Sequence, residues 1–288
     1  MRQGWSDCVV TDNLDAVSIG LPRKAWALFN HTKLTAEALG SLPYQAQPVA
    51  LDLVGVHEMH RDLYAKLDAL TKRKLRAQKF MDYMTVHFLL GQPERIGHTP
   101  GHRHQRIKVD YLRILRGWLF NPDGREAAVL KGWVASRFGL KPLYHNGPLD
   151  DYESDTYLQF LSMQSAGIYN TNALENQLDL LYHFCQYELS HQRTVAGDHQ
   201  VLFRGVNAID QHDILARGPN NEAIVLLNNL NSFTDDRERA SEFGDYIMEV
   251  RVPLPKIIFY HNLLPNTFKG EGEVMVIGGL YRVRLVTF

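Results

Sequence analysis

The sequence predicts an α+β protein with a mainly helical region first and a mainly antiparallel β region after it. Three observations carry that prediction. Apolar residues recur at helical spacing in the first two-thirds of the chain, as at Leu63, Leu67 and Leu70. After Gly197 the pattern changes to short apolar runs bounded by turn residues. The closing segment alternates Tyr281, Val283 and Leu285 with Arg282 and Arg284, as a half-buried strand does. The 288 residues therefore divide into a helical part, 1–196, and a β-rich part, 197–288. That length suits two domains or one continuous unit.

Taken in order, residues 58–90 read as helix. Met59, Leu63, Leu67 and Leu70 form one apolar stripe, and Phe80, Met84 and Phe88 form a second. The basic stretch Lys72-Arg73-Lys74-Leu75-Arg76, with Lys79, lies within it. A solvated helix face and a partner-docking surface both fit that pattern. Residues 91–104 hold Pro93, Pro100 and several glycines and read as a loop. Its His98, His102 and His104 have no carboxylate or cysteine at a familiar ligand spacing, so neutral or phosphate-facing histidines are expected in preference to a metal site. Residues 141–148, rich in proline and glycine, precede the acidic Asp150-Asp151-Tyr152-Glu153 and read as a hinge or surface excursion.

A further helix is marked by Asn172, which can cap it with Glu175 in the capping-box position. Leu174, Leu178, Leu181 and Cys185 trace its core stripe. Beyond it, residues 201–203, 223–227, 246–252, 257–260 and 274–277 are strand-like, with one helical interval at 235–243. Gly278-Gly279 reads as a two-residue hairpin turn that returns the chain through 280–286.

Composition narrows the function classes. The chain is 45% hydrophobic and 22% charged, which fits a soluble protein with a substantial core. A formal net charge of -1 gives no pull toward nucleic acid or an anionic membrane. Cys8 and Cys185 are too few for a disulfide framework or a cysteine-based zinc site. No apolar run is long enough to span a bilayer, and the first residues lack a secretory apolar segment. The expectation is a cytoplasmic protein with no membrane insertion and no nucleic-acid partner.

Three polar features are expected at strand ends: Phe203-Arg204-Gly205, Asn231-Ser232-Phe233-Thr234 and Glu271-Gly272-Glu273. Glu271 and Glu273 share one face of an extended chain. Each raises the other's cost of ionising, so a cation between them is expected. An arginine fork holds a diphosphate, and a serine hydroxyl fixes a sugar or orients a carboxylate. A carboxylate stabilises an oxocarbenium cation, as in glycoside cleavage. Diphosphate, sugar and cleavable glycosidic bond together describe a dinucleotide such as NAD. No strand followed by Gly-x-Gly-x-x-Gly and a helix is present, so hydride transfer on a Rossmann scaffold is not expected.

Arg204, Ser232-Phe233-Thr234 and the Glu271-Gly272-Glu273 pair resemble the R-S-E signature of arginine-specific mono-ADP-ribosyltransferases. The stretches Leu202-Phe203-Arg204-Gly205-Val206-Asn207 and Asn231-Ser232-Phe233-Thr234-Asp235-Asp236-Arg237, with the helical first part, extend the likeness. Over essentially its whole length the chain resembles the dinitrogenase reductase ADP-ribosyltransferases of nitrogen-fixing bacteria. The resemblance implies a core of two packed, mainly antiparallel β-sheets, NAD+ as co-substrate and no required metal. It implies that Arg204 binds the NAD phosphates and that the Gly205 backbone holds the nicotinamide carboxamide. Ser232 would orient the catalytic glutamate and the nicotinamide-side ribose, with Thr234 standing where relatives have a second serine.

By the same resemblance Glu273 is the catalytic glutamate, bonding the ribose 2′-hydroxyl and stabilising the cation formed as nicotinamide leaves. Glu271 would receive the target guanidinium and help take its proton, a demanding task because arginine is essentially always protonated. Glutamate in place of glutamine at 271 favours arginine as acceptor. Phe268 stands where relatives carry an exposed aromatic that touches the protein target; a plug at the base of the loop is the other reading. Arg237 and Arg239 lie where relatives have a loop facing phosphate and nicotinamide, and they also fit a solvated helix. The implied target is dinitrogenase reductase, whose reversible modification switches nitrogen fixation off, with a PII-type nitrogen signal protein as regulatory partner. Two alternatives remain: the same chemistry on a different protein, and a non-catalytic NAD-binding sensor. The presence of Arg204, Ser232 and both glutamates argues against the second.

Overall fold

The computed structural model describes residues 8–91, 109–169, 171, 173–207, 213–265, 267–268 and 272–287. After a short strand β1 (Val9–Val10), helices dominate as far as residue 196. They are α1 (Ala36–Leu39), α2 (Leu42–Ala46), α3 (Val56–Met59), α4 (Arg61–Asp68), α5 (Arg73–His87), α6 (Tyr111–Phe120), α7 (Arg125–Phe138), α8 (Asp155–Ile168) and α9 (Leu174–Ala196). Strands β2 (His199–Val206), β3 (Asp213–Arg217) and β4 (Glu222–Thr234) follow. The last elements are α10 (Arg237–Ser241), β5 (Tyr246–Pro253), β6 (Ile257–Tyr260) and β7 (Glu273–Thr287). The mixed α+β class expected from the pattern is the one observed.

Local chemistry accounts for most boundaries. The Asp110 carboxylate accepts from Arg113 N at the start of α6, and Ser154 Oγ accepts from Tyr157 N at the start of α8. Gly139, at φ 71, ends α7 in the left-handed conformation that glycine adopts without strain. The expected helix over 58–90 is broken into α3, α4 and α5. Arg76 explains the second break, because its Nη1 donates to the carbonyls of Leu70 and Thr71 and holds that turn. Met59, at the end of α3, is 69% exposed and so leaves the stripe predicted for it, while Leu63, Leu67, Phe80 and Met84 are buried. In α9 the stripe Leu174, Leu178, Leu181 and Cys185 is buried as expected. Its cap position falls on Ala173, at φ 49 with no side-chain cap; Asn172 lies outside the described residues.

The strands join in one seven-stranded sheet of order β1-β3-β4-β2-β5-β7-β6, with a further pairing of β4 to β7. All pairings are antiparallel except β1 with β3. β4, β7, β5 and β2 thereby form a ring. β2 pairs with β5 along its whole length, and β2 meets β4 at Phe203↔Thr234.

Gly278-Gly279 is not a hairpin turn. β7 runs unbroken through it, and β4 lies beside both halves, pairing Ser232 with Met275 and Leu226 with Leu280. The glycines serve a bend opposite the register slip between Leu227 and Leu230. A Cβ at Gly278 would overlap the Asn228 carbonyl oxygen. Gly279, at φ 109, lies against the Gly40 backbone, whose carbonyl accepts from Leu280 N at 2.7 Å. The Gly278 carbonyl, turned out of the ladder at the bend, accepts from the buried Lys256 Nζ at 3.0 Å.

One apolar cluster spans helices and sheet, including Leu63, Phe80 and Trp118 on one side and Leu202, Val276 and Leu285 on the other. α9 is tied across β6 by Gln186 Nε2, which donates to the carbonyls of Leu254 and Ile257.

Candidate active site

The register of three strands assembles the site. β2 touches β4 at Phe203↔Thr234, and β4 touches β7 at Thr234↔Glu273. Ser232, two residues before Thr234, shares the Thr234 face. Its Oγ donates to Glu273 Oε1 at 2.5 Å, a charge-assisted bond that fixes the carboxylate. Arg204, next to Phe203, donates Nη1 to the Ser232 carbonyl at 2.8 Å. Arg204 and Ser232 therefore sit inside their strands, because β2 continues to Val206 and β4 to Thr234, instead of ending at these residues as the short apolar runs imply. Thr234, the last residue of β4, and Glu273, the first of β7, stand at strand ends.

A fourth side chain completes the cluster. Trp118, on α6, donates Nε1 to Glu273 Oε1 at 2.7 Å and lies 3.1 Å from Ser232 Oγ. The indole N–H and the serine hydroxyl thus converge on one carboxylate oxygen. No local signal in the sequence marks this residue, since a tryptophan on an apolar helix face reads as core, which by burial it also is.

The electrostatics favour an anion. Burial lowers the Arg204 guanidinium's pKa, and the Glu273 charge pulls it back up. An arginine with that neighbour stays charged. Its Nε is buried and has no hydrogen-bond partner among the described residues. A buried donor left unsatisfied costs free energy, so an oxyanion accepting there would be bound with that cost removed. Lys131 is a second buried cation, donating Nζ to Asp123 Oδ1 at 2.8 Å and to Tyr144 O at 3.0 Å, with its charge 6.0 Å from the Trp118 ring centre. Burial lowers its pKa, the Asp123 bond raises it and Arg204 lowers it. His145, pushed by burial to about 4, is neutral and places Nδ1 3.2 Å from Lys131 Nζ as an acceptor.

The other expected residues are distributed around this centre. Gly205 follows Arg204 and is backed by α10, because a Cβ there would overlap the Ala240 carbonyl oxygen. Thr234 is buried, and its Oγ1 accepts from Asp236 N at 3.1 Å, shaping the turn into α10. Asp236 caps α10 through Glu238 N and Arg239 N. Arg239 Nη1 lies 3.9 Å from the Cβ position of Gly272, which has φ 61. Phe268 is half-buried and packs edge-on against Phe259 with ring centres 5.5 Å apart. The loop it belongs to is closed at its base by His261 N donating to the Glu273 carbonyl at 2.9 Å. From α5, Arg73 donates to the Asn262 carbonyl and stacks over Tyr260. Glu271 and His98, His102 and His104 lie outside the described residues.

The basic stretch is divided in its roles. Arg76 is buried and bonds Glu188 through two parallel contacts, Nε to Oε1 at 2.6 Å and Nη2 to Oε2 at 2.8 Å. It therefore belongs neither to a solvated face nor to a docking surface, whereas Lys72, Lys74 and Lys79 are exposed. Among the described residues no group of three or more histidines, cysteines or carboxylates is placed to hold a metal, and no helix is long and apolar enough to cross a membrane.

Comparison with known proteins gives two positive findings and one negative. A family model described as dinitrogenase reductase ADP-ribosyltransferase matches residues 29–285. A protein of Rhodospirillum rubrum named NAD(+)--dinitrogen-reductase ADP-D-ribosyltransferase is 37% identical over 258 residues, which are 88% of this chain and 93% of that protein. No solved structure matches.

Proposed function

The chain belongs to the dinitrogenase reductase ADP-ribosyltransferase family, and from that premise we propose how its residues act. It transfers ADP-ribose from NAD+ to an arginine of dinitrogenase reductase and so regulates nitrogenase. We assign Arg204 to the diphosphate, with the buried, unpartnered Nε as the donor an anionic oxygen would satisfy. Gly205 offers its backbone to the nicotinamide carboxamide. Ser232 orients both the ribose and Glu273, and Thr234 supports the turn that carries the phosphate side of the site.

Glu273 bonds the ribose 2′-hydroxyl and faces the positive charge that grows on the ribose carbon as its bond to nicotinamide nitrogen breaks. The target arginine then forms a bond to that carbon through one guanidinium nitrogen, and Glu271 takes the proton this nitrogen sheds. Phe268 anchors the loop that carries Glu271 and offers its exposed edge to the protein target. No step assigned to these residues calls for a metal. We read the four-stranded ring as the equivalent of two packed sheets, with 1–196 forming a helical region continuous with the 197–288 core. A cytoplasmic location and a PII-type regulatory partner complete the reading.

The observation that carries this assignment is the 2.5 Å bond from Ser232 Oγ to Glu273 Oε1, on a cluster that also contains Arg204. Incubating the protein with NAD+ and dinitrogenase reductase should add one ADP-ribosyl mass to an arginine peptide of the target. Glu273→Gln should lower that rate by about a few hundredfold, the cost of one preorganised electrostatic contact, while NAD+ binding persists. A normal rate in Glu273→Gln would remove Glu273 from the chemistry. Modification of a different protein in place of dinitrogenase reductase would keep the chemistry and change the target.

A further inference from the structure

We propose that Trp118 is a positioning residue for the reaction, holding Glu273 in its working orientation from outside the ADP-ribosyltransferase signature; the inference rests on the assignment of Glu273 as catalytic glutamate. The indole N–H is a donor only and cannot be exchanged for an acceptor. It meets two acceptors, Glu273 Oε1 at 2.7 Å and Ser232 Oγ at 3.1 Å, and both belong to the site. The serine hydroxyl is thereby oriented as well, because an oxygen that receives the indole proton points its own hydrogen at Glu273, as the 2.5 Å contact requires. The Ser232 hydroxyl restrains the carboxylate from β4, and the indole adds a second donor that reaches it from α6.

Trp118 is itself tightly held. It is buried on α6, whose first residue donates its backbone N–H to the buried Gln177 Oε1 at 3.0 Å. The Lys131 charge sits 6.0 Å from its ring centre. Among the described residues the Arg204 charge on β2 acts on the carboxylate, and Lys131 on α7 lies beyond the indole ring. A ring locked on a helix, with its one polar atom aimed at the carboxylate, adds preorganisation from α6 to that supplied by Ser232 on β4.

The test is Trp118→Phe, which keeps an aromatic ring and deletes the donor. We expect kcat for ADP-ribosyl transfer to fall about 10- to 100-fold, the rate equivalent of one hydrogen bond to a charged group, with KM for NAD+ changed less than about twofold. The acid limb of the kcat profile should move to higher pH by roughly one unit, because a carboxylate that loses a donor is harder to ionise. A folded Trp118→Phe protein with unchanged kcat and an unmoved acid limb would overturn the proposal, as would a change in KM alone. Should that variant not fold, protein labelled at the indole nitrogens decides. Glu273→Gln and Ser232→Ala should each move the same indole N–H resonance, and if neither moves one the contact is not made in solution. An inactive Glu273→Gln beside a normal Trp118→Phe removes only this inference. An active Glu273→Gln removes the assignment beneath it.

Discussion

Arg76 and Glu188 form a buried ion pair with side-chain exposures of 8% and 1%. Bidentate geometry and two further bonds to backbone carbonyls satisfy the guanidinium, so the pair offsets its desolvation only while both partners are present. Glu188→Gln should therefore destabilise the fold by about 3–5 kcal/mol, read as a lower urea midpoint. The sequence placed Arg76 among exposed lysines because its neighbours are basic, and the partner that buries it lies on α9, far along the chain. Trp118 escaped notice for the same reason. Nothing within its own helix distinguishes an indole that ends on a carboxylate from one that ends in the core. Arg204, Ser232 and Glu273 could be singled out from the sequence because short motifs carry them, and the structure brings the three together.

At the level of elements, α10 lies directly on β2 because Gly205 has no side chain. Gly205→Ala would place a methyl group in the Ala240 carbonyl, and α10 would have to shift. That overpacking should cost about 1–3 kcal/mol of stability and raise KM for NAD+, since Arg204 is the adjoining residue. Thermal melts and initial-rate kinetics measure the two effects separately. Strand existence was legible at 201–203, 246–252 and 257–260, where apolar runs stand between turn residues. The Gly278-Gly279 pair was misread because a hairpin and a bend leave the same local trace. They differ only in whether a neighbouring strand continues past the glycines, and β4 does. Helix breaks at His60 and after Asp68 were hidden likewise, the second being set by a side chain, Arg76, that reaches back to its own preceding turn.

Across the whole molecule, helices and strands share one apolar cluster, and the site draws Trp118 from the first part and Glu273 from the last. The α+β class was readable from periodicity, but this interdependence was not, because no pattern reports which helix covers which strand. Lys256 makes the whole fold sensitive to pH. Burial pushes it down to about 7, and among the described residues its charge meets the Gly278 carbonyl and the rings of Tyr281 and Tyr44. An unfolded lysine titrates near 10.5, so between about pH 7 and about 10 the unfolded chain binds the extra proton. Lys256 should therefore make stability rise with pH across that window, and below it the penalty is fully present. Lys256→Met should flatten that rise in urea denaturation measured along the same pH series. Among the described residues, the ring of β4, β7, β5 and β2 is closed between β2 and β4 by one register pair, with the Arg204 guanidinium stitched to the Ser232 carbonyl beside it. In mechanical terms the narrowest seam of that ring lies between the strands that carry Arg204 and Ser232. On the proposed assignment of Arg204 to the diphosphate, a phosphate that draws Arg204 toward itself would load that seam first, so that grip on the co-substrate and give in the frame would be the same displacement.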